Sequence, residues 1–320
     1  MSNSTPIIRC ENIAKFYRSQ KWFKSFEIRA LDNVSFSIEK GKSIGIVGES
    51  GCGKSTLAKT LIGLEPLTSG KIYFEGKDRN DLKKEFLISK IQMMFQDPYT
   101  SLNPRKKVWE IIAEPLIVNL KMAKPDYMLE VEKMMKLVGL NPQNLNRYPH
   151  MFSGGQRQRI NLARSLILKP DLIILDEPVS ALDVSIQAQI LNLLTDLQHE
   201  LKLTYLFISH DLSVIKFLCH KVIVMYLGKI VEEGSVAQVF NNPLHPYTKS
   251  LLNATPKLAT SNNAQKNSFI PIQGELPSPY NPPQGCHFAN RCPQKMANCE
   301  LTYPRTYFKN GGQVACNLYE

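Results

Sequence analysis

Apolar and polar positions along this chain change period several times, and each change marks a predicted element. Residues 34–38 (Val-Ser-Phe-Ser-Ile) alternate with period two, as a strand with one buried face does, and the stretch 7–75 reads as short strands separated by turns. Residues 43–47 read as an apolar strand with a glycine-rich loop behind it, and 57–64 turn helical. From 108 to 140 apolar side chains recur at three- and four-residue spacing: Ile111, Ile112 and Leu116, then Leu129, Met134, Met135, Leu137 and Val138. That spacing predicts a helix-rich insertion. Strands at 172–175, 205–208 and 222–225, with a helix at 185–201, restore a β/α alternation and imply a core parallel sheet. Beyond Pro243 the chain turns to Pro, Asn and Ser without periodicity through Asn281, so a domain boundary and a small tail are expected. No internal repeat is present.

Composition narrows this picture. A chain of 320 residues accommodates one large α/β domain and a smaller appendage. A hydrophobic fraction of 43% with 21% charged residues excludes a disordered or fibrous chain. The longest apolar runs are of strand length, well short of the roughly 18 residues a spanning helix needs. The first ten residues, MSNSTPIIRC, lack a basic-then-apolar leader, so the expected location is reducing cytoplasm. The net charge of +11 suits an anionic partner, whether nucleotide, nucleic acid or lipid surface, and equally a solvated basic face. The aromatic-basic stretch 15–29 reads as a hairpin, with contact to lipid headgroups as the alternative.

The strongest chemical signal is Gly48-Glu49-Ser50-Gly51-Cys52-Gly53-Lys54-Ser55-Thr56, which matches G-x-x-x-x-G-K-[ST] between an apolar strand and a helical stretch. Glycines let successive N–H groups turn inward at phosphate oxygens, Lys54 adds a point charge to the β- and γ-phosphates, and the Ser55 hydroxyl suits Mg²⁺. Cys52 reads as a small loop residue. Asp176 and Glu177 follow the strand 172–175 at once, where the first acid would hold Mg²⁺ and the second would orient or polarise the attacking water. Helix capping is the plain alternative for such acids, but it would leave the phosphate loop without a metal partner.

Phe152-Ser153-Gly154-Gly155-Gln156-Arg157-Gln158-Arg159 closely resembles the signature motif of ABC ATPases. A Ser-Gly-Gly turn before a helix is a second anion cradle. The resemblance implies that Ser153, Gly154, Gly155 and Gln156 grip the γ-phosphate of ATP held by an opposing subunit, in a head-to-tail dimer. It further implies that Tyr17 stacks on adenine, that Gln96 senses Mg²⁺ and the attacking water, and that His210 contacts the γ-phosphate. Ser180-Ala181-Leu182-Asp183 is similar to the loop that crosses the dimer interface, which adds Asp183 to the nucleotide site. The implied fold is a P-loop NTPase of ABC type: α/β, with a RecA-like core, an antiparallel β subdomain, a helical subdomain and a small Cys-bearing C-terminal tail. The expected boundaries are 1–255 for the ATPase domain, with the helical subdomain about 97–165, and 256–320 for the tail.

Two stretches resemble the peptide and nickel importers of that family: Phe95-Gln96-Asp97-Pro98-Tyr99-Thr100-Ser101-Leu102-Asn103-Pro104-Arg105, and Pro243-Leu244-His245-Pro246-Tyr247-Thr248-Lys249-Ser250-Leu251-Leu252. The first, in such importers, lies beside the cleft that receives a helix of the membrane subunit. The resemblance implies a peripheral subunit on the cytoplasmic face of the membrane. Its expected partners are a second, homologous ATPase, two permeases and an extracytoplasmic binding protein. The tail carries Cys286, Cys292, Cys299 and Cys316, and four thiols in cytosol are seldom disulfides. Thiolates in this number can hold a [4Fe–4S] cluster or Zn²⁺, or stay free; the spacing is unlike paired C-x₂-C, and some similar proteins carry iron–sulfur. Cys10 and Cys219 read as buried small residues. Two other classes stay open: an ABC protein acting on nucleic acid or the ribosome, and a redox or metal sensor built on the tail. Coiled-coil insertions and a second fused ATPase, usual in the first class, are absent, so nucleic acid is not an expected partner. ATP and Mg²⁺ are the expected cofactors.

Overall fold

The computed structural model describes residues 5–21, 24–95, 101–180, 182–254, 277, 278, 280 and 282–320, without the side chains of 19–26. Two sheets organise these residues. The first is antiparallel, in the order β2-β1-β4-β5, from β1 (Ile8–Lys21), β2 (Lys24–Ile38), β4 (Ser69–Phe74) and β5 (Lys77–Asp78). The expected hairpin across 15–29 is the β1–β2 pair, which runs from Ile8 opposite Ile38 to Lys21 opposite Lys24 with register shifts between Cys10 and Phe16.

The second sheet holds β3 (Ser43–Val47), β6 (Ile91–Met94), β7 (Leu172–Asp176), β8 (Thr204–Ile208), β9 (Lys221–Tyr226), β10 (Lys229–Ser235), β11 (Thr306–Lys309) and β12 (Gly312–Ala315). Its order is β11-β12-β10-β9-β3-β8-β7-β6, with parallel pairing from β9 to β6 and antiparallel pairing from β9 outward to β11. Both faces of the parallel part are buried, which is why β3 and β7 read as apolar runs without alternation. Ile173 and Leu175 face one core, shared with the helices, while Leu172 and Ile174 face a second core beneath the antiparallel sheet. Ile46 joins that second core together with Leu57 and Leu61 of α1 (Lys54–Leu61).

The helical insertion resolves into α3 (Val108–Leu120) and α4 (Lys124–Leu137), which follow α2 (Lys84–Lys90). Lys121 takes φ 50° between them, and Pro125 opens α4, so the break follows from a left-handed residue and a proline at the first turn. Beyond these come α5 (Gly154–Leu166), α6 (Val184–Leu201), α7 (Leu212–Leu218), α8 (Val236–Asn241) and α9 (Pro246–Asn253). The Pro-rich stretch after Pro243 thus contains a helix, α9, which starts on its proline. The C-terminal residues return to the main sheet: β12 pairs with β10, Glu232 opposite Val314. Among the described residues no helix is long and apolar enough to cross a membrane.

Candidate nucleotide site

Register in the parallel sheet builds the site. Ile208 of β8 lies opposite both Ile46 of β3 and Asp176 of β7, so the C-terminal ends of three neighbouring strands come level. Loops leaving those ends meet at one edge, where open α/β sheets bind ligands. The loop after β3 is tight. Gly48 has φ 153°, and a Cβ there would lie 2.2 Å from Met225 O; Gly53, at φ 105°, would meet Ala30 O at 2.2 Å. Only glycine fits these positions. Gly53 caps α1 with its backbone alone, leaving the helix N-terminus to face the loop. Lys54 is buried, its Nζ donating to Gly48 O at 2.7 Å and Glu49 O at 3.0 Å. Cys52 is buried, with burial pushing its thiol pKa up, in keeping with a small loop residue.

Tyr17, Ile28, Arg29, Ala30, Ser50, Gly51, Gly53, Lys54, Ser55, Thr56, Glu177, Leu227 and Pro282 enclose a cleft of about 480 Å³. Its size suits a small organic ligand. Tyr17, from β1, is half-buried, with Lys15 Nζ 4.9 Å from its ring centre. Below the loop, Asp176 is buried and accepts a hydrogen bond from the Ser55 side chain. Burial raises its pKa above the carboxylate range, against the lowering influence of Ser55, Lys54 and Lys59. Two hard oxygens side by side, one on a buried carboxylate whose desolvation outweighs the nearby lysines, fit the small divalent cation expected there. Glu177 takes φ 48°, its N–H donating to Ile208 O at 2.9 Å, and its Oε1 lies 3.0 Å from His210 Nδ1. A non-glycine residue held in the left-handed region by a hydrogen bond is strain of the kind found at functional sites.

Tyr17, Gly48 through Thr56, Asp176, Glu177 and His210 are therefore brought together. The signature is not among them. Ser153 caps α5: its Oγ accepts from Gln156 N at 3.4 Å, and its own N–H donates to Gln156 Oε1 at 3.1 Å. None of Ser153, Gly154, Gly155 and Gln156 lines the cleft, nor does the exposed Asp183, which precedes α6. Gln96 and Ala181 lie outside the described residues. Two participants carry no sequence signal: Arg291, which holds Glu49 from 242 residues away, and Pro282 of the tail, which lines the cleft itself.

Among the described residues the expected metal-ligand set in the tail finds no support. Cys286 and Cys299 are buried in the main core, Cys316 packs with Leu244 and Val314, and Cys292 is half-buried. Burial pushes the Cys286 thiol up to about 11 and raises Cys292 and Cys316, with the neighbouring thiols adding to it. The four groups thus sense one another, yet among the described residues no group of three or more His, Cys, Asp or Glu side chains is placed to hold a metal ion. Cys286 and Cys299 belong to the main apolar cluster, and Cys316 to the small one with Leu244 and Val314. Cys10 and Cys219 are buried, as expected, with raised pKa values.

A second cleft, of about 450 Å³, opens between the end of α1 and α3. Leu64, Phe95, Pro115 and Val118 line it beside Glu114 and Arg164, which pair at 3.2 Å. Leu64, Phe95 and Val118 are exposed there.

A strand, phosphate loop and helix, with a carboxylate pair closing a strand two places along the sheet, define a phosphate-loop ATPase. Residues 31–180 match the family model described as ABC transporter, and residues 231–299 the model described as oligopeptide/dipeptide transporter, C-terminal region. The dipeptide transport ATP-binding protein DppF of Haemophilus influenzae is 48% identical over 322 residues, covering 99% of this chain and 98% of that protein. The oligopeptide transport ATP-binding protein OppF of Salmonella typhimurium is 51% identical over 288 residues, covering 88% of this chain and 86% of that one. Among solved structures, cbiO1 of Clostridium perfringens, part of an ABC transporter complex, aligns with TM-score 0.64 at 28% identity over 74% of this chain and 92% of its own. A dimeric ATP-binding cassette in a post-hydrolysis state, bound to ADP and Pi, aligns with TM-score 0.63 at 30% identity over 72% of this chain and 98% of its own. The chain belongs to the family of ABC transporter ATP-binding proteins, and it carries the C-terminal region of the oligopeptide/dipeptide branch.

Proposed function

We propose that this chain hydrolyses ATP to drive uptake of di- and oligopeptides across the cytoplasmic membrane, from whose inner face it works. The observation that carries the chemistry is the Glu177–His210 pair at 3.0 Å, at the rim of a cleft floored by the phosphate loop. The peptide cargo is supported by the names of the relatives.

In this reading the loop's N–H groups other than those of Glu49 and Cys52, together with the N-terminus of α1, hold the phosphates, and Lys54 offsets their charge. Tyr17 offers its ring to the base. When bound, Mg²⁺ would be held by Ser55 and Asp176, with Gln96 as a third contributor, and would neutralise charge on the β- and γ-phosphate oxygens. Glu177 accepts a hydrogen bond from the attacking water and turns it in line with the γ-phosphate, while His210 fixes the carboxylate and reaches the transferred group. Ser153, Gly154, Gly155 and Gln156 act on nucleotide held by the other cassette of a dimer, with Asp183 at the crossing. That other cassette is a homologous ATPase. Two permeases, docking a helix into the cleft at Leu64, Phe95 and Val118, and an extracytoplasmic binding protein complete the assembly. The working boundaries are 1–255 for the ATPase, with its helical part about 97–165, and 256–320 for the tail.

The test is uptake of labelled di- and oligopeptides, with nickel in parallel, in cells whose only copy carries Lys54→Ala. Peptide uptake is expected to fall about a hundredfold or more, as when one charge-stabilising group is lost. Loss of nickel uptake alone would transfer the cargo to a metal, and unchanged uptake of both would remove the transport reading.

A further inference from the structure

The tail reaches the phosphate loop directly. Glu49 is the second residue of that loop, and each of its polar groups has a partner within the chain. Its N–H donates to Tyr247 Oη at 2.8 Å, and its carbonyl accepts from Lys54 Nζ at 3.0 Å. Its carboxylate is gripped from both sides by Arg291, Nη1 to Oε2 at 2.7 Å and Nη2 to Oε1 at 3.0 Å. Such a fork-to-fork pair fixes direction as well as charge. Nη1 also donates to Tyr226 Oη at 3.2 Å. Tyr226, Tyr247 and Phe288 pack ring against ring at 4.7 to 5.3 Å, so β9, α9 and the tail together form the wall on which Glu49 rests. The side chains of Arg291 and Glu49 are 8% and 25% exposed, so water screens the pair only in part.

A second contact runs the same way. His287 Nδ1 lies 3.2 Å from Leu227 O, and the next residue, Gly228, donates its N–H to Cys52 O at 3.0 Å. The tail therefore bears on the loop at Glu49 and, through the β9–β10 turn, at Cys52. A carboxylate in a loop that binds polyphosphate opposes its ligand unless a cation neutralises it and turns it aside.

We propose that Arg291 is a positioning residue for nucleotide binding: it neutralises Glu49 and holds the phosphate loop against the aromatic wall, so that the tail sets the affinity for MgATP. This rests on the ATPase reading above.

Calorimetric titration of MgATP into the full chain tests it, using wild type, Arg291→Ala, Arg291→Lys and Arg291→Ala/Glu49→Gln. Arg291→Ala weakens binding about tenfold, because a partly buried carboxylate is left beside the phosphates. Arg291→Lys keeps the charge without the fork and recovers part of the loss. The double variant, with no charge to neutralise, returns to within about twofold of wild type. The Arg291→Ala defect also shrinks as salt is raised, as a repulsion does and a packing fault does not. Wild-type affinity in Arg291→Ala overturns the proposal, and so does a double variant as weak as the single one, since Arg291 would then serve only the packing of the tail. Should Arg291→Ala fail to fold, Arg291→Gln takes its place under the same two criteria. A wild-type chain that binds no MgATP overturns the ATPase reading and this proposal with it.

Discussion

Asp176 shows how function opposes stability within one residue. Its carboxylate is buried at the end of β7, and burial raises its pKa despite the Ser55 hydrogen bond. The folded chain therefore holds that proton more tightly than the unfolded chain does. Its contribution is favourable below the unfolded value and is lost as pH rises through the folded one, so at neutral pH the charged group costs stability. Asp176→Asn should raise the melting temperature of the nucleotide-free chain by a few degrees while lowering ATP hydrolysis about a hundredfold or more. Differential scanning fluorimetry and a phosphate-release assay measure the two effects. A variant that melts earlier would mean that the carboxylate's partners outweigh its burial, and undiminished hydrolysis would remove Asp176 from the metal site.

Elements differ in how openly the sequence declares them. β3 and β7 are apolar on both faces, and the motifs at their ends fix the nucleotide site, so strand, loop and acid pair are legible from residue types alone. α9 is less legible, because Pro246 and the prolines and asparagines around it look like loop composition. In the structure Pro246 opens the helix and His245 caps it, Nδ1 accepting from Tyr247 N at 3.0 Å. The Glu49–Arg291 pair has no local signature at all, since nothing at either position anticipates a partner 242 residues away. The gathered cysteines are legible as a group, but their number alone does not say whether they bind a metal: in the fold they sit in two apolar clusters and influence one another's titration. The cap of α9 also has a pH consequence. Burial, aided by Lys249, lowers the His245 pKa to about 3, and burial with Lys229 lowers that of His287 to about 4. Both stay neutral in the folded chain while an unfolded histidine titrates at 6.5, so unfolding takes up protons below that value. Stability is complete above pH 6.5 and is lost as pH falls towards 4. In His245→Asn the side-chain oxygen can take over the cap without titrating, so urea midpoints should fall less steeply between pH 6.5 and 4 than in wild type. Parallel slopes would place the acid sensitivity elsewhere.

At the scale of the whole molecule, the two groups of motif residues lie apart within one chain. The phosphate loop, Asp176, Glu177 and His210 share one edge of the sheet, whereas Ser153 through Gln156 open α5 away from that cleft. On the proposed reading, Ser153 through Gln156 act on nucleotide held by the other cassette of a pair, so the two half-sites serve one another. Hydrolysis per chain should therefore rise with protein concentration and level off once dimers fill. Glu177→Gln should bind ATP and hydrolyse it about a hundredfold or more slowly, as expected when a group that activates water is lost. With MgATP this variant should elute at twice its mass in size-exclusion chromatography, because closed dimers accumulate when turnover cannot open them. Mixing it with the homologous ATPase should give the same shift at lower concentration if the natural pair is mixed. Turnover per chain independent of concentration, with Glu177→Gln eluting as a monomer in MgATP, would mean that each chain completes its own site and that Ser153 to Gln156 act elsewhere.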